Sequence, residues 1–100
     1  MIKKHSLVLQ PGARNDTQDA YDWYENQLAG LGDKFLNALE ECYLKIEKHP
    51  AAFGKFYKNY RKAVIKKFPY LIIFTIIKNE IFVFAIFHGE RNPKKRLKRD

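Results

Sequence analysis

The sequence predicts an α+β fold: one compact domain in the order β-α-α-β-β-β, with a helical hairpin packed on an antiparallel sheet. Two patterns carry that prediction. Apolar residues recur at helical spacing between residues 15 and 50, whereas from Phe56 onward they bunch into β-branched and aromatic runs. Gly30-Leu31-Gly32 and Lys78-Asn79-Glu80 are short enough to fold each half back on itself. With 100 residues, 46% of them hydrophobic, the chain has material for a single core and no length for a second domain.

Each element follows in order. Residues 2 to 9 suit a first strand, ended by the breaker Pro11-Gly12. Asn15 or Asp16 is a good N-cap type, and Ala20, Tyr21, Tyr24 and Leu28 keep to one helical face. That helix stops at the Gly30-Leu31-Gly32 loop. A second starts near Asp33 and carries the stripe Phe35, Ala38, Leu39, Cys42 and Ile46, with Glu41 and Lys45 paired outside it; Pro50 ends it. Three strands come next, at Phe56–Ile65, Tyr70–Ile77 and Ile81–Phe87. The last two lack polar alternation, which predicts central strands covered on both faces and joined as a hairpin. Residues 1–93 form the domain on this reading, and 94–100, with five basic residues among seven, form a tail that is disordered in isolation.

Charge is divided along the chain. Residues 1–50 hold 6 Lys/Arg against 8 Asp/Glu, a net of −2, and residues 51–100 hold 13 against 3, a net of +10. A field of that sign attracts nucleic acid, an anionic membrane face or an acidic protein. The single Cys42 closes no intramolecular disulfide, which fits a reducing cytoplasm. The apolar stretch near the start is only Leu7, Val8 and Leu9, too short for a secretory leader. Phe68–Phe87 is interrupted by Lys78, Asn79 and Glu80, so it reads as two strands and not as a membrane span. No Cys/His spacing suits zinc, and no Gly-rich loop suits a phosphate cofactor. Asp16, Asp19, Asp22 and Glu25 recur every third residue but lack a histidine to complete a ligand set; carboxylates opening a helix meet its macrodipole favourably.

Taken together in order, several short pieces resemble the RelE/ParE family of toxins from bacterial toxin–antitoxin pairs. They are Tyr24-Glu25 followed by Gly30-Leu31-Gly32 and Phe35; His49-Pro50; Tyr60-Arg61-Lys62 leading into Phe68-Pro69-Tyr70; and His88-Gly89-Glu90-Arg91-Asn92-Pro93. The resemblance implies the same α+β fold and a growth-inhibiting toxin held silent by a cognate, acidic antitoxin in a hetero-oligomer. It also implies one of two targets, the ribosome with its mRNA or DNA gyrase. RelE-like members cleave mRNA in the ribosomal decoding site, and ParE-like members are described as poisoning gyrase.

RNA cleavage without a metal needs a group to take the 2′-proton, cations for the charged phosphorane and an acid for the leaving oxygen. By the resemblance, Arg61, His88 and Arg91 are the catalytic candidates, and no cofactor or metal is implied. Lys55, Lys58 and Lys62, with Lys94, Lys95 and Arg96 of the tail, are the candidates for contact with nucleic acid or another target. The aromatic or His-Tyr ending of some ribonuclease members is missing, which favours the ParE-like, gyrase-directed reading. A ribosome-dependent endoribonuclease and an inactive, partner-binding family member are the alternatives.

Each candidate has a plainer reading. Arg61 suits a phosphate or an antitoxin carboxylate, or an ion pair across the sheet. His88 suits acid–base work, or a ring packed at a strand end. Phe53, Phe56 and Tyr57 suit the core better than base stacking. Tyr21, Trp23 and Tyr24 suit helix packing better than a binding cage, although Trp23 falls off the buried stripe of its helix, which leaves it open to a partner.

Overall fold

The computed structural model describes residues 6–89. Strand β1 (Ser6–Leu9) is followed by helices α1 (Pro11–Gln27) and α2 (Leu31–Lys48), then by a 3₁₀ turn at Pro50–Ala52. Strands β2 (Lys55–Tyr57), β3 (Tyr60–Val64), β4 (Tyr70–Ile77) and β5 (Glu80–His88) complete the order. The sheet runs β1-β5-β4-β3-β2, so the two most apolar strands lie inside it, as their lack of alternation predicts. The helical hairpin covers one face.

Three details depart from the expected pattern. The sheet is mixed: β1 pairs with β5 in parallel, Ser6 opposite Glu80 through Leu9 opposite Val83, and the other pairings are antiparallel. The two helices intervening after β1 supply the long crossover that a parallel partner requires. The run expected as one strand over Phe56–Ile65 is a hairpin, because Lys58 takes a positive φ of 51° and turns the chain between the paired Tyr57 and Tyr60. Lys78, at φ 57°, does the same between Ile77 and Glu80. Positive φ at a two-residue turn matches the twist of the flanking strands. Finally, α1 begins at Pro11 and not at Asn15 or Asp16. Proline ends strands but suits the first turn of a helix, where its missing N–H is unneeded.

Glu25 closes the helical hairpin. The Gly30 and Gly32 N–H groups donate to its two carboxylate oxygens, Oε2 and Oε1, each at 2.9 Å. These are donors that the start of α2 would otherwise leave unmatched. Gly30 sits at φ 90°, where side-chain-bearing residues are strained, and a Cβ on Gly32 would lie 2.7 Å from the Tyr21 ring and 2.8 Å from Glu25 Oε1. The Tyr21 phenol is held above its ordinary pKa by the charges of Asp33, to which it hydrogen-bonds, and of Glu25.

With the loop fixed, the helices deliver an aromatic cluster to the sheet. The Phe35 ring lies 5.3 Å from Tyr24 and 5.4 Å from both Phe68 and Tyr70, in tilted and edge-on contacts. Phe35, Ile46, Ile72, Phe74, Ile81 and Val83 are fully buried around it. On the other face Ile73, Phe84, Ala85 and Phe87 form a second buried cluster with Phe56, Tyr60 and Leu71. The register slip opposite Ile73 and Phe74 makes Phe84 the extra residue of a bulge.

Cys42 is buried with its Sγ 3.8 Å from the Val64 carbonyl. Burial pushes its thiol up, away from the reactive thiolate. Tyr43 is also buried, its hydroxyl without a hydrogen-bond partner among the described residues, and burial pushes that phenol up as well.

Two predictions follow from this packing. In urea unfolding, Gly32→Ala and Gly30→Ala each lower stability by about 1–3 kcal/mol, through overpacking in the first and left-handed backbone in the second. Tyr43→Phe is neutral or raises stability by up to about 1 kcal/mol, because it removes a buried hydroxyl that bonds nothing; a loss above about 1 kcal/mol would mean that the hydroxyl has a partner.

Candidate functional site

A polar bond between residues 70 apart in sequence holds helix α1 to the end of the sheet: the Ile86 N–H donates to Asp16 Oδ2 at 3.0 Å. Asp16 lies in the second turn, and no acidic residue occupies the first. The acidic row is therefore explained by specific bonds more than by the macrodipole. Asp16 holds β5, Asp22 accepts from Gln18 Nε2 at 2.9 Å, and Glu25 clasps the hairpin loop. Among the described residues no group of three His, Cys, Asp or Glu side chains is placed to hold a metal ion.

The Asp16 bond sets α1 beside the last residues of β5 and leaves an open cleft of about 670 Å³ between them. Helical spacing puts Asp16, Asp19 and Trp23 on the wall that α1 contributes, with the 92% buried Tyr24 behind. Tyr70 and His88 face them from the paired ends of β4 and β5. The His88 ring stands edge-on to Tyr70 at 5.5 Å, and Trp23 edge-on to Tyr24 at 5.1 Å. Burial first, and the neighbouring Tyr70 second, raise the Tyr24 phenol above its usual range.

Arg61 lies elsewhere. It sits on β3 opposite Phe74, with its guanidinium donating to the carbonyls of Ala51, at 3.2 Å, and of Phe53. Those bonds tie the irregular link after α2 to the sheet. Neither the phosphate nor the cross-sheet ion pair is needed to account for the residue. His88 pairs with Tyr70, four positions along β4 from Phe74, roughly 13 Å at the usual strand rise. The two residues also flank β4 on opposite sides, so the structure does not bring Arg61 and His88 into one pocket. Arg91, Lys94, Lys95 and Arg96 lie outside the described residues.

The remaining lysine candidates gather at the far edge. Lys55 is on β2, Lys58 on the turn and Lys62 on β3; the ammonium of Lys58 lies 5.4 Å from the Tyr57 ring centre, and that of Lys62 lies 5.8 Å from Phe56. Phe53 packs on Phe74 at 5.7 Å, and Phe56 joins the second buried cluster, so both serve the core. Residues 55–67 carry six Lys/Arg and no acid, whereas residues 15–33 carry five Asp/Glu and no base. Because α1 packs on β1 and β5 while β2 and β3 close the opposite edge of the sheet, the described residues place the acidic run and the basic run at opposite edges.

Residues 7–93 match the model of a family described as the ParE toxin of the type II toxin–antitoxin system parDE. Toxin ParE2 of Mycobacterium tuberculosis is 26% identical over 88 residues, covering 87% of this chain and 84% of that protein, in strain CDC 1551 / Oshkosh and again in strain ATCC 25618 / H37Rv. A chain in the solved structure of the chromosomal ParDE TA system from P. aeruginosa superposes with a TM-score of 0.77 at 18% identity, covering 86% of this chain and 97% of that one, which shows the shared fold.

Arg61 has a structural signature that urea unfolding will register. Arg61→Gln loses its charge-assisted bonds to the carbonyls and costs about 1.5–3 kcal/mol, while Lys62→Gln, on an exposed neighbour, stays within about 0.5 kcal/mol of the parent. Equal midpoints for the two variants would show that the carbonyl bonds contribute nothing.

Proposed function

The chain belongs to the ParE toxin family of type II toxin–antitoxin systems, and from that membership we propose that it arrests growth by acting on DNA gyrase without cleaving RNA. The observation carrying this reading is the separation of Arg61 from His88. Metal-independent RNA cleavage needs its base, acid and phosphorane-stabilising cation around one phosphate. Here the guanidinium is engaged by backbone carbonyls at one side of β4, and the imidazole lines a cleft at the other.

A cognate antitoxin is implied by the family. In this proposal it meets the toxin through an acidic segment laid along the basic edge, in a toxin–antitoxin hetero-oligomer. Lys55, Lys58 and Lys62 supply the complementary charge there, and the three-residue edge strand β2 offers its backbone to an added strand. Lys94, Lys95 and Arg96, which follow the 1–93 domain in sequence, add positive charge for the antitoxin or for the DNA that gyrase holds. The site of action is the cytoplasm, where gyrase works and where the unpaired Cys42 is at home. Among the described residues no helix is long and apolar enough to cross a membrane.

Purified gyrase decides the matter. With relaxed plasmid and ATP, the full chain is expected to inhibit supercoiling or trap cleaved DNA, to lose that effect with one equivalent of antitoxin, and to keep it in the His88→Ala variant. Normal supercoiling at concentrations that stop growth would overturn the proposal.

A further inference from the structure

We infer that a second cleft, between α2 and the β3–β4 turn, is a binding site for a phosphate group carried by a nucleotide or by a nucleic-acid backbone. The inference does not depend on gyrase being the target. The cleft, of about 510 Å³, is lined on one side by Lys34, Asn37 and Glu41, which share a face of α2, and on the other by Lys66, Lys67 and Phe68. Two contacts hold its walls together. The fully buried Phe35 ring stands edge-on to Phe68 at 5.4 Å, and Cys42 Sγ lies 3.8 Å from the Val64 carbonyl. The turn itself is closed by the Ile65 N–H, which donates to the Tyr70 carbonyl at 3.0 Å. Core packing and backbone bonds therefore set where Lys34, Lys66 and Lys67 stand.

Cations are kept here against two penalties. Lys34, Lys66 and Lys67 bring like charges to one cleft, and none of the three is in an ion pair among the described residues. Lys67 also takes a φ of 70°, left-handed backbone where glycine or asparagine is the easier choice. An anion that meets the three ammoniums relieves the first penalty and accounts for a lysine that bears the second. Glu41 narrows the chemistry. It stands about 10 Å from Lys34 along α2 at the helical rise, at the end of the cleft that the Cys42–Val64 contact closes. A phosphate concentrates its charge and its acceptor oxygens around one atom, and lysine is a recurrent partner for it. An extended acidic segment spreads the carboxylates of one face about 7 Å apart and would bring one of them against Glu41. The sugar that follows a phosphate is uncharged and meets no such repulsion.

The probe is inorganic pyrophosphate titrated into the isotope-labelled full chain, with citrate, a carboxylate ion of similar charge, at matched ionic strength. Saturable amide shifts are expected at Lys34, Asn37, Lys66 and Lys67 with pyrophosphate, and about tenfold weaker binding with citrate. Lys67→Asn should weaken pyrophosphate about tenfold without lowering the urea midpoint, because asparagine suits the left-handed backbone, whereas Lys62→Gln on the basic edge should stay within about twofold of the parent. Competition then separates the sources. Displacement of pyrophosphate by a short DNA duplex assigns the phosphate to a nucleic-acid backbone, and displacement by adenosine diphosphate alone assigns it to a free nucleotide. Displacement by neither overturns the inference. Equal affinity for citrate, shifts centred on Lys55, Lys58 and Lys62 in place of the cleft, or an unchanged affinity in Lys67→Asn would overturn it as well.

Discussion

Strands β4 and β5 are apolar on both faces, and that constraint arranges the rest of the molecule. Such a pair is stable only where both faces are shielded from water, and on the face away from the helices Phe56, Tyr60 and Leu71 pack against Ile73, Phe84, Ala85 and Phe87. Strands β1 and β3 therefore flank it, β2 extends it, and the helical hairpin lies across one face. The helices can cover that face only if their mutual angle is fixed. Glu25 fixes it by taking the Gly30 and Gly32 N–H groups, while Asp16 fixes the tilt of α1 by taking the Ile86 N–H. Both carboxylates come from the acidic row of α1, so the row that gives the helix its charge also gives the hairpin its geometry.

The same arrangement separates the charges. Helix α1 and the β2–β3 hairpin occupy opposite edges because the central pair lies between them. A cleft with carboxylates and aromatic rings then lies on one side, and a lysine-rich edge on the other. Arg61 belongs to neither binding surface, since its guanidinium holds the link between the second helix and β2. Among the described residues, Arg61 and His88 therefore do not converge on one pocket.

Most of the architecture was legible in the sequence because it follows from periodicity. The stripe through Phe35, Leu39, Cys42 and Ile46 and the unbroken runs of β4 and β5 each have one physical solution. The parallel pairing of β1 was not legible, since a four-residue strand followed by two helices carries no mark of its partner's direction. The split at Lys58-Asn59 does have a sequence signal: the same dipeptide recurs at Lys78-Asn79, where a turn is expected. The Pro11-Gly12 breaker marks the end of a strand and is also the start of a helix. At the sites, residue type identified Arg61 and His88 as unusual, but their separation is a property of register across β4. The cleft was visible only as Trp23 standing off its stripe; the partners that complete it, Tyr70 and His88, lie more than 40 residues away in sequence.

The central claim is that this chain stops growth through DNA topology and not through translation. The most direct measurement is parallel pulse-labelling of DNA and protein synthesis in the first minutes after induction without antitoxin. DNA synthesis is expected to fall first, with protein synthesis following as replication stalls. A fall in protein synthesis that precedes any change in DNA synthesis would contradict the account and return Arg61 and His88 to consideration as parts of a ribonuclease.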